Sequence, residues 1–295
     1  MSDTPDLSPS LSPSLSPSLS PSLSPSLSVS IVVYFPDAAW LTKTLESLLA
    51  ALAHARHAGA MRRARIFLVD NQAASSTSIF SAQLDSICGE FGWIETSTIV
   101  GQGNIGYGRA NNLAIARCTE SDFHLVLNPD VMLAEDAITN ALHYLQQHAG
   151  CAMVSPVATA QDGQALYLVK RFPAVFTLAL RGFAPDWMKQ VFRARLDAYE
   201  RKETPYDEAI SDAKIVSGCF MLIRRSALVQ AAGFDPAFFL YFEDFDLSYR
   251  IAKLSSIARV PTVRIVHGGG SAAAKGGRHI GLFVRSALRF HWKHR

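Results

Sequence analysis

Carboxylate side chains and one histidine occur at three separated places where this sequence could perform chemistry. Glu243 and Asp244 lie in the aromatic run Phe239-Leu-Tyr-Phe-Glu-Asp-Phe, where an ionised carboxylate is unfavourable unless it has a partner or a function. Asp130 ends the segment Leu125-Val-Leu-Asn-Pro-Asp, and His267 follows an apolar segment. Because such groups can bind a divalent cation or accept a proton, we expect one cleft that holds a cation, a leaving group and a base.

Each of these groups also has a structural alternative. Glu243 and Asp244 precede a predicted short helix, residues 245–254, which their carboxylates could cap. The Asn-Pro-Asp segment that ends at Asp130 is also a common turn. A lone histidine is often structural, but the glycines after His267 favour a loop that closes over a diphosphate. Asp246 and Arg250 have the spacing of a helical ion pair.

Two other segments place polar groups at the ends of predicted strands. Asp70-Asn71 ends the second strand, where a carboxylate can accept the imide N–H of a uracil or thymine, or can form an Asx turn. Gly101-Gln-Gly-Asn-Ile-Gly106 has the spacing of a dinucleotide-binding loop. It follows the third predicted strand rather than the first, so a tight loop near a phosphate or ribose is the better interpretation. A plain turn is the alternative.

The elements that position these groups alternate between strands and helices. Continuous apolar strands and amphipathic helices predict an α/β fold with a mostly parallel central sheet and helices on both faces. The predicted strands are 28–35, 65–70, 93–100, 123–127, 153–156, 215–223 and 263–267. The predicted helices are 39–59, about 109–118, 134–148, 178–201 with an interruption near Pro185, 245–254 and 280–295.

The chain divides into a repeat and one domain. Residues 1–28 are built on Leu-Ser-Pro-Ser units, and proline at every fourth position forbids helices and sheet ladders, so we expect disorder. Residues 29–295 form a single predicted domain. It comprises a nucleotide-binding half (29–150), an acceptor and catalytic half (151–279) and a basic amphipathic C-terminal helix (280–295).

Composition excludes several classes of protein. A net charge of +3 over 295 residues is too small to indicate a nucleic-acid surface. The four cysteines form no CxxC pair, so neither a zinc site nor a disulfide framework is expected. Without a long apolar run or a leader-like N-terminus, we expect a cytoplasmic protein. The C-terminal helix contains no acid, which favours either peripheral contact with an anionic membrane or packing on the domain.

Taken together, seven segments resemble family 2 glycosyltransferases, in particular the bacterial rhamnosyltransferase-like branch. Each segment is weak alone, but all seven keep the order and spacing of that family. The segments are Val29-Ser-Ile-Val-Val-Tyr34, Val69-Asp-Asn71, Asn104-Ile-Gly-Tyr-Gly-Arg-Ala-Asn-Asn112, Leu127-Asn-Pro-Asp130, Gly233-Phe-Asp235, Phe239-Leu-Tyr-Phe-Glu-Asp-Phe-Asp-Leu247 and Val266-His267.

The resemblance implies a GT-A fold, a nucleoside-diphosphate-sugar donor and inversion at the anomeric carbon. Asp130 takes the place of the last acid of the family's DxD motif, and His267 that of its metal-contacting histidine. Asp244 matches the second acid of the ED motif, the usual base, with Glu243 beside it. In donor binding, Asp70 is expected to contact the pyrimidine. The residues implied around the donor are Tyr34, Asp70, Asn71, Asn104, Gly106, Arg109, Asn112 and Asn128.

One departure from the family pattern affects the cation. Asn128 replaces the first acid of DxD, so we expect Mg²⁺ or Mn²⁺ to bind weakly until the diphosphate supplies oxygens. The resemblance further implies a glycan or lipid-linked acceptor in cell-surface polysaccharide synthesis, with rhamnose as the sugar.

Two other functions stay open for the same sequence. The first is a catalytically silent protein that binds a sugar nucleotide, against which the carboxylates and His267 argue. The second is a nucleotidyltransferase. That activity needs a glycine-rich basic loop directly after the first strand, and Tyr34-Phe-Pro-Asp37 provides none.

Overall fold

The computed structural model describes residues 24–72, 82, 84–86, 88–89, 91–268 and 277–295. Most of the segment predicted to be disordered lies outside these ranges. Its last residues do not match the prediction, because the first strand begins at Ser26 and Leu27 is buried. Pro25 is the last proline of the repeat. Every residue of the first strand therefore has an N–H that can join the sheet.

The chain forms eleven strands and nine helices within the described ranges. The strands are β1 (Ser26–Val33), β2 (Arg63–Asp70), β3 (Ile94–Ile99), β4 (Phe123–Leu127), β5 (Val131–Leu133), β6 (Cys151–Thr159), β7 (Ala165–Leu166), β8 (Val169–Lys170), β9 (Ile215–Val216), β10 (Phe220–Arg224) and β11 (Ser256–His267). The helices are α1 (Ala38–His57), α2 (Tyr107–Arg117), α3 (Ala137–Gln147), α4 (Val175–Phe183), α5 (Asp186–Val191), α6 (Arg193–Tyr199), α7 (Arg225–Gln230), α8 (Glu243–Ile251) and α9 (Gly277–Lys293).

The main sheet has the order β3-β2-β1-β4-β10-β6-β11-β5, with β7 beside β6. The strands from β3 to β4 are all parallel, as the alternation of strands and helices along the sequence predicts. The other half is mixed, because β10 runs antiparallel to both of its neighbours and β5 runs antiparallel to β11. Strands β8 and β9 form a separate two-stranded sheet.

Two predicted elements are divided in the structure. The strand predicted over 215–223 is two strands in different sheets, because the chain turns at Gly218, whose N–H donates to the Asp244 carboxylate. The helix predicted over 178–201 is three helices, α4 to α6. It breaks at Pro185, as predicted, and again at Phe192.

A buried polar network fixes α2 against the parallel strands. Both ring nitrogens of His124 are hydrogen-bonded, Nδ1 to Ser28 Oγ at 2.8 Å and Nε2 to Ser30 Oγ at 3.0 Å. Burial lowers the pKa of His124 to about 3, so the ring is neutral. Ser30 Oγ donates to Asn111 Oδ1 at 2.6 Å, and Asn111 Nδ2 donates to the Tyr107 carbonyl. The first turn of α2 is thereby held in place.

Helix α9 packs on the domain through one face. The Phe290 side chain is fully buried in an aromatic cluster that includes Phe242 and Tyr249. Asp246, also fully buried, accepts a hydrogen bond from Arg250, as its spacing predicts, and further contacts Lys293 and His294 on α9. Among the described residues, no helix combines the length and apolar character needed to span a membrane.

Candidate active site

A cavity of about 530 Å³ lies where β1 and β4 end. This volume is typical of small-ligand sites, and the position is the usual one for ligands of α/β sheets. The walls combine aromatic rings with amide and carboxylate groups. The lining residues are Val32, Tyr34, Phe35, Pro36, Asp37, Trp40, Asn71, Asn104, Gly106, Tyr107, Asn128, Pro129, Asp130, Phe239, Leu240, Gly268, His279 and Leu282.

The turn that contains Asn128, Pro129 and Asp130 is anchored on three sides. Thr44 Oγ1 on α1 donates to the Pro129 carbonyl at 2.8 Å. Asn128 N–H donates to the Cys219 carbonyl at 2.9 Å. On the side facing α2, Asn128 Oδ1 accepts from the Tyr107 hydroxyl at 2.8 Å. The turn is therefore held by the sheet and by two helices, and Asp130 lines the cavity.

Strand pairing brings His267 beside Asp130. His267 pairs with Val131 across β11 and β5, and the Gly268 N–H donates to the Asp130 carbonyl at 2.8 Å. His267 Nε2 lies 3.4 Å from Asp130 Oδ1. Both atoms are buried, and neither has a hydrogen-bond partner among the described residues.

Such a pair of facing, unsatisfied polar atoms fits a divalent cation, which both ligand types can bind. Within the described ranges, no group of three or more potential ligands surrounds a common point. Asp130 and His267 could therefore supply only part of a coordination shell. A diphosphate and water would have to supply the rest.

Glu243 and Asp244 begin α8 directly after two residues in the left-handed conformation, Tyr241 (φ 70°) and Phe242 (φ 63°). Two consecutive non-glycine residues in this region store strain, which is most often found at functional sites. The Asp244 carboxylate accepts N–H bonds from Gly218 at 2.8 Å and from Phe245 at 2.9 Å. These bonds orient the carboxylate.

Burial raises the pKa of both carboxyl groups. For Asp244 the backbone N–H bonds offset part of that rise. For Glu243 burial acts first, and the negative charge of Asp244 raises the pKa further. Glu243 Oε2 is buried without a hydrogen-bond partner among the described residues. Asp244 remains partly exposed, so it is the better placed of the two to exchange a proton with a bound substrate.

Tyr107 connects the cavity with Asp244. Its hydroxyl lies 2.8 Å from Asn128 Oδ1 and 3.0 Å from the carbonyl of Gly218, whose N–H holds Asp244. Burial raises the pKa of Tyr107 well above its usual range, so the hydroxyl keeps its proton. The sequence prediction quoted Tyr107 within a family segment but gave it no role.

We expect Tyr107→Phe to lower the free energy of unfolding by about 1–2 kcal/mol, because the part-buried oxygens of Asn128 and Gly218 lose the one hydroxyl donor that they share. We also expect slower turnover, since both Asn128 and the Gly218 loop lose one restraint. Urea unfolding followed by circular dichroism measures the first effect. Tyr34→Phe is the matched control, because half of that side chain is exposed. Equal unfolding midpoints for the two variants would contradict the prediction.

Five of the predicted donor-binding residues line the cavity. Tyr34 follows β1, Asn71 follows β2, Asn104 and Gly106 precede α2, and Asn128 follows β4. The Asn71 side chain contacts Asn104 Oδ1 through Nδ2 and accepts from the Ile105 N–H, each at 3.3 Å.

Asp70 is buried beneath this group, and its Oδ1 accepts from the Gln72 N–H at 2.9 Å. This bond is the Asx turn that the sequence left open as an alternative. Contact of Asp70 with a pyrimidine stays a prediction.

Gly106 is required for the close approach of two chain segments. Its φ is 91°, and a Cβ atom there would lie 2.2 Å from the Phe239 carbonyl oxygen. The same carbonyl accepts a hydrogen bond from the Tyr107 N–H. The last glycine of the loop therefore joins the start of α2 to the aromatic segment that leads into α8.

The structure does not bring Arg109 and Asn112 to the cavity lining. The Arg109 guanidinium donates to the Pro236 carbonyl at 2.7 Å. The Asn112 side chain donates to the Phe234 carbonyl and accepts from its N–H, at 2.7 and 2.9 Å. Both side chains hold residues 234–236, and their contact with the donor stays a prediction. Four other predicted site residues are likewise absent from the cavity lining: Asp70, Glu243, Asp244 and His267.

Several residues of the cavity wall were not predicted. Trp40, in the first turn of α1, packs so closely on Gly268 that a Cβ atom there would lie 2.4 Å from the indole ring. His279 lines the cavity from α9 and lies 2.8 Å from the Tyr241 hydroxyl through its Nδ1. Pro36-Asp37 before Trp40 indicated the start of α1, but no local signal placed these side chains in one cavity.

Comparison with known proteins relates most of the chain to one family. The family model described as "Glycosyltransferase like family 2" matches residues 25–274. Rhamnosyltransferase WbbL of Escherichia coli (strain K12) is 27% identical over 199 residues, which cover 63% of this chain and 69% of that protein. N-acetylglucosaminyl-diphospho-decaprenol L-rhamnosyltransferase of Mycobacterium tuberculosis (strain ATCC 25618 / H37Rv) is 28% identical over 178 residues. That match spans 56% of each chain, a little over half the length of the mycobacterial relative.

Two solved structures share the fold at low sequence identity. GalNAc-T7 with UDP, GalNAc and Mn²⁺ has a TM-score of 0.57 and 13% identity, covering 84% of this chain and 44% of the other. Mannosyltransferase PcManGT from Pyrobaculum calidifontis, in complex with GDP-Man and Mn²⁺, has a TM-score of 0.56 and 16% identity. That match covers 90% of this chain and 64% of the other.

Proposed function

The chain belongs to glycosyltransferase like family 2 and has the GT-A fold, and from this premise we propose that it is an inverting glycosyltransferase. It transfers a sugar from a nucleoside diphosphate to a hydroxyl group of a glycan or lipid-linked acceptor. The observation that carries the proposal is the pair of unsatisfied atoms on Asp130, which lines the cavity, and on the adjacent His267. Asp244 is connected to the cavity wall through two hydrogen bonds, from Tyr107 to the Gly218 carbonyl and from the Gly218 N–H to the carboxylate. The names of the two sequence relatives favour rhamnose as the sugar.

In the proposed reaction Asp244 is the base. Its carboxylate takes the proton of the acceptor hydroxyl, and the acceptor oxygen forms a bond to the anomeric carbon. The bond from that carbon to the diphosphate oxygen breaks on the opposite face, so the configuration inverts. The N–H bonds from Gly218 and Phe245 fix the carboxylate orientation, and the raised pKa of Asp244 strengthens it as a base. One base is sufficient, and no covalent intermediate with the enzyme is required.

The chain's other residues act on the donor. Asp130 and His267 would hold Mg²⁺ or Mn²⁺, which, when bound, supplies positive charge to the departing diphosphate. Asn128 can donate an amide N–H to the same region while Tyr107 holds its Oδ1. Tyr34, Asn71 and Asn104 form the part of the cavity that we assign to the nucleoside.

The proposed place of action is the cytoplasmic face of the cell membrane. The mycobacterial relative is named for an acceptor with a decaprenol chain, and an acceptor of that kind stays in the bilayer. Peripheral contact through the C-terminal helix would bring the cavity to such an acceptor.

The proposal is tested by thermal shift with dTDP, UDP and GDP, each with and without Mn²⁺. A nucleotide that binds the folded state raises the midpoint by mass action. We expect at least one nucleotide to do so, and Mn²⁺ to increase the shift. We expect Asp130→Ala to weaken nucleotide and Mn²⁺ binding together by roughly tenfold or more, because Asp130 is one of the two side chains that would bind the cation.

Asp136→Ala is the matched control, since that carboxylate lies outside the cavity lining and contacts Arg264 at the surface. An Asp130 variant that keeps the wild-type response to Mn²⁺ would contradict the cation site. Binding of nucleotide sugar without release of nucleoside diphosphate would instead indicate a silent binder. Release of pyrophosphate from a nucleoside triphosphate would indicate a nucleotidyltransferase.

A further inference from the structure

The exposed apolar side chains of this protein are concentrated in two segments. Of the fifteen large apolar side chains that are exposed in the described part of the chain, ten lie within residues 172–192 and 280–292. We name these ten residues the docking face. They are Phe172, Val175, Phe176, Trp187, Val191, Phe192, Ile280, Val284, Leu288 and Trp292.

On α9 the exposed residues form one stripe. Ile280, Val284, Leu288 and Trp292 follow each other at intervals of four residues, so they lie on a single side of the helix. Leu288 is 62% and Trp292 78% exposed, whereas Phe290 on the inner side is fully buried. The helix therefore has two apolar sides, and only one of them is used in packing on the domain.

The two segments are joined into one surface. The Phe172 ring, just before α4, lies 5.3 Å from the Phe290 ring and 5.7 Å from the His291 ring, centroid to centroid. Further along, the Phe176 and Phe192 rings are 5.3 Å apart. The segment of α4 and α5 thus continues the surface that begins on α9.

The charges around the docking face are mostly positive. Asp186, directly before Trp187, is 97% exposed and lies 3.1 Å from the Lys189 amino group. Helix α9 contains no acidic residue. Arg285 and Arg289 lie beside the stripe, and neither is paired with a carboxylate among the residues that the structure describes. Arg181 and Arg193 add basic groups near α4 and α5, although each contacts an acid, Glu200 and Asp197 respectively. An apolar surface with tryptophans and unpaired arginines is complementary to the headgroup region of an anionic bilayer.

The docking face also lies near the cavity. His279 and Leu282, on the same helix as the exposed stripe, line the cavity wall. These two residues lie on the opposite side of α9 from the stripe, so a bilayer in contact with the stripe would lie about one helix diameter, roughly 10 Å, from the cavity wall. This position suits an acceptor whose lipid part stays in the membrane while its sugar enters the cavity.

We propose that the docking face, formed jointly by α4, α5 and α9, binds the surface of an anionic lipid bilayer. The apolar side chains enter the boundary between headgroups and acyl chains, and Arg285 and Arg289 contact lipid phosphates. The purpose of this docking rests on the proposed function, because only a lipid-linked acceptor makes it useful. The binding itself does not depend on sugar transfer and is measured without any nucleotide.

The test is co-sedimentation of the full chain with vesicles of phosphatidylglycerol and phosphatidylcholine, and with vesicles of phosphatidylcholine alone. Two double variants place carboxylates on the docking face: Leu288→Glu with Trp292→Glu on α9, and Trp187→Glu with Val191→Glu on α5. The matched control is Val229→Glu with Leu254→Glu. It adds the same charge at positions that are 62% and 52% exposed but lie outside the docking face.

We expect the wild-type chain and the control to bind the anionic vesicles, more weakly at high salt and on neutral vesicles. Each docking-face variant should bind roughly tenfold more weakly or worse. All variants should keep the wild-type unfolding midpoint, because the changed side chains are exposed.

Three results would overturn the proposal. The first is a wild-type chain that does not bind anionic vesicles. The second is a pair of docking-face variants that bind as well as the control. The third is a wild-type dimer, seen by analytical ultracentrifugation, that the α9 variant splits while no vesicle binding occurs, since a second copy of the chain would then cover the face.

Discussion

Replacement of Asp244 by asparagine is expected to lower turnover by about 10²–10⁴-fold while nucleoside diphosphate and Mn²⁺ still bind. Asparagine keeps the shape of the side chain, and its single amide oxygen can still accept one of the two N–H bonds, which reach Oδ2 from Gly218 and Oδ1 from Phe245 in the wild-type protein. The variant therefore loses one of these two bonds and the ability to take a proton from the acceptor. Release of nucleoside diphosphate from the donor identified by thermal shift measures turnover, and the thermal shift itself measures binding.

Two controls separate a missing base from a disturbed fold. Asp162→Asn changes the same functional group in an exposed turn and should leave turnover unchanged. In the wild-type protein, turnover should fall as the pH drops through the raised pKa of Asp244, because protonation removes the base. This fall in turnover should occur at a higher pH than the one at which an ordinary aspartate titrates. Turnover near the wild-type rate in Asp244→Asn would show that another group removes the proton.

Phe290→Ala is expected to reduce the free energy of unfolding by about 3–5 kcal/mol. The side chain is fully buried against the rings of Phe242, Phe245 and Tyr249, just before and within α8, so its removal leaves a cavity that rigid neighbours cannot fill. The loss also weakens the support of α9, which carries two residues of the active-site cavity wall. Urea unfolding followed by circular dichroism measures the change through the midpoint and slope.

Leu288→Ala is the matched control on the same helix. This side chain is 62% exposed, so its truncation should change the free energy of unfolding by less than about 0.5 kcal/mol. The two substitutions remove apolar groups that are only two residues apart. The difference between their effects on the free energy of unfolding therefore shows which side of α9 packs on the domain. Similar losses for both would mean that the helix does not pack through its Phe290 side.

Much of the fold could be predicted because its signals are local. Segments of five to eight residues rich in apolar side chains marked β1, β2 and β4, and the leucines of α1 indicated its buried side. The division into β9 and β10 could not be predicted, because the turn between them depends on Asp244, 26 residues beyond Gly218. The antiparallel direction of β10 has a similar cause, since no local pattern specifies which strand lies beside it.

The candidate site was predictable where the residue type itself implies the chemistry. Asp130 and His267, expected to share a cation, lie 3.4 Å apart through their polar atoms. Arg109 and Asn112 were assigned to the donor, but their partners are main-chain atoms of residues 234–236, which are distant in sequence. Tyr107 was missed for a similar reason, because both of its hydroxyl partners come from other parts of the chain.

The strand order restricts how this protein could acquire a new sugar preference by recombination. Strand β10 lies between β4 and β6, and β5, from the first half of the chain, forms the far edge beside β11. An exchange of residues 151–295 with another gene would have to match the hydrogen-bonding edges of two strand pairs at once, β4 with β10 and β5 with β11. The exchange of this whole segment is therefore restricted, and single substitutions and loop insertions around the cavity are the less demanding way to change the choice of donor or acceptor.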